Sequence, residues 1–262
     1  MAGLIPGIFR LGVPQQLYAA YSCYGPNQKV DQYCSAAELL YQQGCTYSAK
    51  LPLALARRAV YAIKADVPGR RVDAVRCLCK IAQLRSRFAP TVFPGELTEA
   101  ASLEKSIPDK EKSLHYYLWW GTYRDMGKAY VAARDQIQAK TSFQCAREYA
   151  AMHYPGTMAA DALCKIADEE KQTGDLKAAT ETLEIAFQKA WEGRCDGSYA
   201  RVEKLVAISN LYVSINPKRA AEVLNLAEQA IKAFASSETM SIKDAKEMVK
   251  SARLSQETIK HI

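Results

Sequence analysis

Residues 158–191 read "MAADALCKIADEEKQTGDLKAATETLEIAFQKAW". Leu163, Ile166, Ala167 and Glu170 recur at helical spacing, and Gly174-Asp175 interrupts the run. A second helical run follows, with Ala179, Leu183, Ala186 and Ala190 at i, i+4, i+7 and i+11. Gly174 suits a left-handed helix end, because it carries no Cβ. The Asp175 carboxylate can accept a hydrogen bond from an unsatisfied N–H of the next helix. Two helices joined by a tight turn are expected.

The pattern returns on both sides. Upstream, "YRDMGKAYVAARDQIQAKTSFQCAREYA" puts Tyr123, Met126 and Gly127 where Leu163, Ile166 and Ala167 stand. Ala139, Phe143, Ala146 and Ala150 then match the second helix. Downstream, Leu205, Ile208, Ser209 and Tyr212 form a first helix, Asn216-Pro217 marks the turn, and Ala220, Leu224 and Ala227 follow. The tetrapeptide "CKIA" occurs at 79–82 and again at 164–167, so Leu78, Ile81 and Ala82 align with Leu163, Ile166 and Ala167. The run 98–106 would be its partner helix, and 35–43 with 52–64 would make a still earlier hairpin.

Tyr123, Met126, Gly127, Tyr130, Ala139, Phe143 and Ala146 follow the order and spacing of the tetratricopeptide repeat (TPR), which this stretch resembles. The period here is about 40 residues against roughly 34 for that family. The resemblance implies an all-α fold, an α-solenoid of about five TPR-like helix–turn–helix repeats with a C-terminal capping helix. The boundaries expected are an irregular N-terminal arm at 1–34, rich in Gly and Pro, the repeat array at 35–240 and the cap at 241–262. In the cap, Ser241 and Asp244 form a capping-box variant, and Ile242, Ala245, Val249 and Ala252 make one apolar stripe.

The chemistry of enzymes is scarcely represented. The sequence contains no phosphate-binding G-x-x-x-x-G-K-[ST], no G-x-G-x-x-G and no G-x-S-x-G. His115, His153 and His261 are too scattered for the common metal motifs, and Cys23, Cys34 and Cys45 lack a zinc spacing. Cys77 and Cys79 would point about 200° apart on a helix. Catalytic residues, metal and cofactor are therefore all expected to be none. The cysteines at 79, 145 and 164 fall in apolar helical patterns and read as buried, reduced thiols. No stretch approaches the roughly twenty apolar residues of a membrane span, and the first residues lack the parts of a secretory signal. A cytoplasmic protein is the expectation.

Charge narrows the choice. Residues 50–90 carry ten basic side chains against Asp66 and Asp73, an excess of eight in a chain whose total is +7. Arg76, Lys80 and Arg87 share one side of their helix, a basic face suited to an acidic peptide. The window lacks the interleaved aromatics of single-strand binders, which argues against nucleic acid. In "HYYLWWGTYRDMGKAY", Tyr116, Trp120, Tyr123, Gly127 and Tyr130 form a packing stripe. Tyr117 and Trp119 lie off that line and read as interface anchors. The expected partner-binding residues are thus Arg76, Lys80, Arg87, Tyr117 and Trp119. The expected function is a non-catalytic module (adaptor, scaffold or dedicated chaperone) that binds a protein or peptide segment. The alternative is an enzyme or nucleic-acid-binding helical domain that uses the repeats as scaffold.

Overall fold

The computed structural model describes residues 15, 17, 19, 25–66, 70–192, 198–234 and 239–260. Among them the chain is all-helical, without a strand. The helices are α1 (Pro26–Gln42), α2 (Lys50–Asp66), α3 (Arg71–Phe88), α4 (Gly95–Ser106), α5 (Asp109–Leu114) and α6 (Tyr116–Ala132). They continue as α7 (Gln136–His153), α8 (Gly156–Gln172), α9 (Leu176–Glu192), α10 (Ser198–Tyr212), α11 (Pro217–Phe234) and α12 (Thr239–Lys260). No described helix is long and apolar enough to cross a membrane.

The chain divides into two compact units, Met1–Ser142 and Phe143–Ile262. In the first, α1 packs on α2 and α3 on α4, while α3 also touches α1, α2 and α6. In the second, α8 packs on α9 and α10 on α11, while α10 also touches α8, α9 and α12. Each unit therefore combines sequence-adjacent pairs with contacts between alternate helices.

Local chemistry explains the pairs. Three turns share one hydrogen-bond pattern. The N–H of Cys45, Asp135 and Asp175 donates to the carbonyl of Leu40, Tyr130 and Glu170 respectively. The N–H of Ala49, Ala139 and Ala179 then donates back to Cys45, Asp135 and Asp175. The residue before each pivot is left-handed: Gly44 at φ 76°, Arg134 at 62° and Gly174 at 83°. Glycine meets that geometry without strain, whereas Arg134 adopts it against the usual preference of an L side chain. The fourth turn closes with the Ala220 N–H donating to Asn216 O. Side-chain caps complete the set, with Gln138, Ala178 and Arg219 N–H donating to Asp135, Asp175 and Asn216 Oδ1 at 3.1, 3.2 and 3.2 Å.

The residues aligned by sequence are also aligned by burial. Leu78, Ile81 and Ala82 are buried, as are Leu163, Ile166 and Ala167, and Leu205, Ile208 and Ser209. Ala139, Phe143, Ala146 and Ala150 lie buried on α7 as Ala179, Leu183, Ala186 and Ala190 do on α9. Alanine at these contacts lets two helix backbones approach closely, so a larger side chain would overpack them.

Some boundaries move. The chain is already helical at Pro26, inside the expected irregular arm, because Pro26 sits at the first helical position where its missing N–H is harmless. Most of the arm lies outside the described residues. Helix α12 begins at Thr239, which puts Ser241 within the first turn rather than at its cap. Ala245, Val249 and Ala252 are buried on its apolar stripe, and Ile242 is half-buried.

The cysteines are also re-sorted. Cys34, expected in a loop, is buried in α1, and Cys145 is half-buried rather than interior. Cys23 and Cys195 lie outside the described residues. Burial pushes Cys34, Cys77 and Cys164 up to about 12, and Cys79 higher still. A thiolate is the reactive form, so these four are expected to stay unlabelled by a thiol reagent at pH 8 until the protein is unfolded. Mass mapping of the labelled peptides checks this, with the half-buried Cys45 and Cys145 expected to react before those four. Fast labelling of Cys79 in the native state would contradict its burial.

Candidate functional site

Helix α3 presents Arg76, Lys80 and Arg87 on the side away from buried Val75, Leu78 and Ala82. Each meets a carboxylate from a neighbouring helix. Arg76 Nε lies 3.2 Å from Asp125 on α6. Lys80 Nζ lies 2.7 Å from Asp31 and Arg87 3.0 Å from Glu38, both on α1. All three pairs join residues 49 apart. The expected bare basic face is therefore a ladder of ion pairs joining α1, α3 and α6. A charge count along a window overlooks acids that packing brings in from elsewhere. Exposed pairs of this kind contribute about 0–1 kcal/mol each. Their geometry shows which alternate helices lie side by side. The second unit has a similar tie, Lys204 on α10 to Asp161 on α8 at 3.1 Å.

The aromatic expectation divides. Tyr117 is half-exposed, with its ring 6.3 Å from that of His115, whereas Trp119 is fully buried. Trp119 packs 5.4 Å from Tyr123, and the Lys112 ammonium sits 5.2 Å from its ring centre. The Tyr123 hydroxyl donates to Glu104 Oε1, which Lys112 also meets. Trp119 is thus the centre of a corner built by α4, α5 and α6, and its ring is no surface anchor. The buried stripe of α6 runs through Trp119, Tyr123, Met126 and Tyr130, while Trp120 is only half-buried. This stripe is offset by one residue at its start from the line that began at Tyr116.

A cavity of about 320 Å³ opens between the α1–α2 turn, the start of α2, the end of α3 and the α3–α4 loop. Leu53, Phe88, Ala89, Val92, Phe93 and Pro94 form its apolar wall, with Lys50, Arg85 and Thr46 as its polar groups. Phe88 is held from behind by Tyr41, whose ring stacks on it at 4.4 Å. Arg85 Nε approaches Glu96 at 3.3 Å. Lys50 sits over the Tyr47 ring, and no described carboxylate lies in ion-pair range of its ammonium. The legible clue was "TVFP": two large apolar residues in a loop where no helical period can bury them.

The second unit carries a polar junction. Arg219 on α11 holds Glu184 on α9 with two bonds of 2.9 and 2.8 Å, and the Tyr212 hydroxyl of α10 donates to Glu184 at 2.9 Å. Burial pushes the Glu184 carboxyl up, but the Arg219 and Tyr212 bonds outweigh it and hold it below the ordinary carboxylate range. A folded value below the unfolded one, about 4.3, means stabilisation that is complete above that pH. It is lost as pH falls through the lower folded value. The expected result is a Tm that drops more steeply on acidification in the native protein than in E184Q, measured from pH 6 to pH 3.

No cluster of three His, Cys, Asp or Glu that could hold a metal occurs among the described residues. Compared with known proteins, the chain matches no family model, no curated protein and no solved structure.

Proposed function

We propose that this chain is a non-catalytic protein-binding module, a TPR-like α-solenoid of about five hairpins closed by a C-terminal helix. The observation that carries the reading is the recurrence of one turn geometry at Leu40–Ala49, Tyr130–Ala139 and Glu170–Ala179. Hairpins of one geometry, joined through alternate helices, present a row of first helices as a continuous surface. In the first unit that row is α1, α3 and α6; in the second it is α8 and α10, with the closing helix α12 packed beside α10. The bound element is a peptide or protein segment. A segment that is acidic would exchange with Asp31, Glu38 or Asp125 for Arg76, Lys80 and Arg87, so its binding would weaken with salt. Buried thiols fit a reducing compartment, and hence the cytoplasm.

The test is capture of partners by the full chain, followed by amide hydrogen exchange on the purified complex. A stoichiometric protein partner that slows exchange on the exposed sides of one row of first helices supports the module. Nuclease-sensitive capture, or protection confined to the second helices α2, α4, α7, α9 and α11, overturns it.

A further inference from the structure

The cavity between α2, the end of α3 and the α3–α4 loop has a wall with the composition of a small-molecule site. Such sites are mostly apolar, with a few placed polar groups, and begin near 300 Å³. This one measures about 320 Å³, room for about ten waters or a molecule of about a dozen non-hydrogen atoms. Part of its apolar wall is open to solvent: Val92 is 64 % exposed and Phe93 49 %. Water in such a space has few hydrogen-bond partners on the wall, so an apolar body displaces it favourably.

The charged groups among the described residues that line the cavity are both cations. Lys50 has no described carboxylate in ion-pair range, and Arg85 pairs with Glu96 alone among the described residues. Glu96 is wholly buried, and its negative charge is matched by the guanidiniums of Arg85 at 3.3 Å and Arg57 at 3.7 Å. An apolar pocket beside an ammonium that rests on the Tyr47 ring and meets no described carboxylate complements an anionic head on an apolar tail. We propose that this cavity binds a free apolar carboxylic acid of medium size, with its chain against Leu53, Phe88, Val92 and Phe93 and its carboxylate on Lys50 with Arg85.

Calorimetric titration of the full chain with sodium octanoate tests it, with a dissociation constant expected on the order of 0.1–1 mM. Affinity should rise about threefold to fourfold per methylene from butyrate to octanoate, the increment of a buried CH₂. Octylamine should bind at least about tenfold more weakly than octanoate, because its head is repelled where a carboxylate is held. Lys50→Glu and Val92→Asp should each weaken octanoate about tenfold or more. Both sites are exposed, and far-UV circular dichroism verifies that the variants stay folded. Affinity independent of chain length, octylamine binding as well as octanoate, or either folded variant binding like the native chain overturns the proposal. A tetrapeptide with phenylalanine at its free C-terminus binding over tenfold more tightly than octanoate would assign the cavity to a protein terminus and overturn the free-acid occupant.

Discussion

Trp119→Ala is expected to lower the unfolding free energy by about 3–5 kcal/mol, the range for deleting a buried large aromatic. The indole is fully buried, and its loss would leave Tyr123 and the Lys112 ammonium facing a void where α4, α5 and α6 meet. The surrounding helices can refill that space only in part, because α5 is six residues long and tied through Lys112 to Glu104. Tyr117→Ala, two positions earlier and half-exposed, should fall within about 0.5 kcal/mol of the native chain. Urea denaturation followed by circular dichroism at 222 nm reads both. If Trp119→Ala costs less than about 1 kcal/mol, the ring is not in the core and the placement of α6 is wrong.

The contrast between these two residues marks where sequence ceased to be decisive. In α8 and α9 the helical period places Leu163, Ile166, Ala179 and Leu183 inside, although Met158, Leu176 and Trp191 are exposed and Thr182 is buried. The segment from His115 to Tyr123 has large rings on every side of the helix. Two stripes, one through Trp119 and one through Trp120, then fit a helical period nearly equally well, and tertiary packing chooses between them. The turns were legible at Gly174-Asp175 and Asn216-Pro217 because glycine, aspartate, asparagine and proline act through local backbone chemistry. Arg134 fills the same left-handed position as Gly174 with no such signal.

Charge was the least legible property. A count over residues 50–90 finds a large excess, yet Asp31, Glu38 and Asp125 reach the same three side chains of α3 from 49 positions away. Alternate helices packing side by side make such distant partners routine, and a window along the chain cannot contain them. The cations left without a described carboxylate include Lys50, which belongs to the cavity rather than to the face that the count selected.

Glu96 extends the same reasoning into the interior. Its carboxylate is wholly buried in the first turn of α4, 3.7 Å from Arg57 on α2 and 3.3 Å from Arg85 on α3. Arg57 also reaches Glu99 at 3.4 Å. The two guanidiniums are each about two-fifths exposed, so water shares their charge, but it does not reach Glu96. The pairing is therefore asymmetric, and the two ways of breaking it should differ. Removing both cations, Arg57→Ala with Arg85→Ala, strands a buried anion with only the start of α4 to favour it. That double variant is expected to lose about 3–5 kcal/mol at pH 7 in urea denaturation. Adding Glu96→Met to the same background removes the stranded charge and replaces it with an apolar side chain of similar length. Most of the loss should return, because an apolar replacement of a whole buried ion cluster is often neutral. Recovery of less than about 1 kcal/mol would mean that the two arginines act through their aliphatic stems against α2 and α3 instead, and that the charge of Glu96 is not what holds α4 in place.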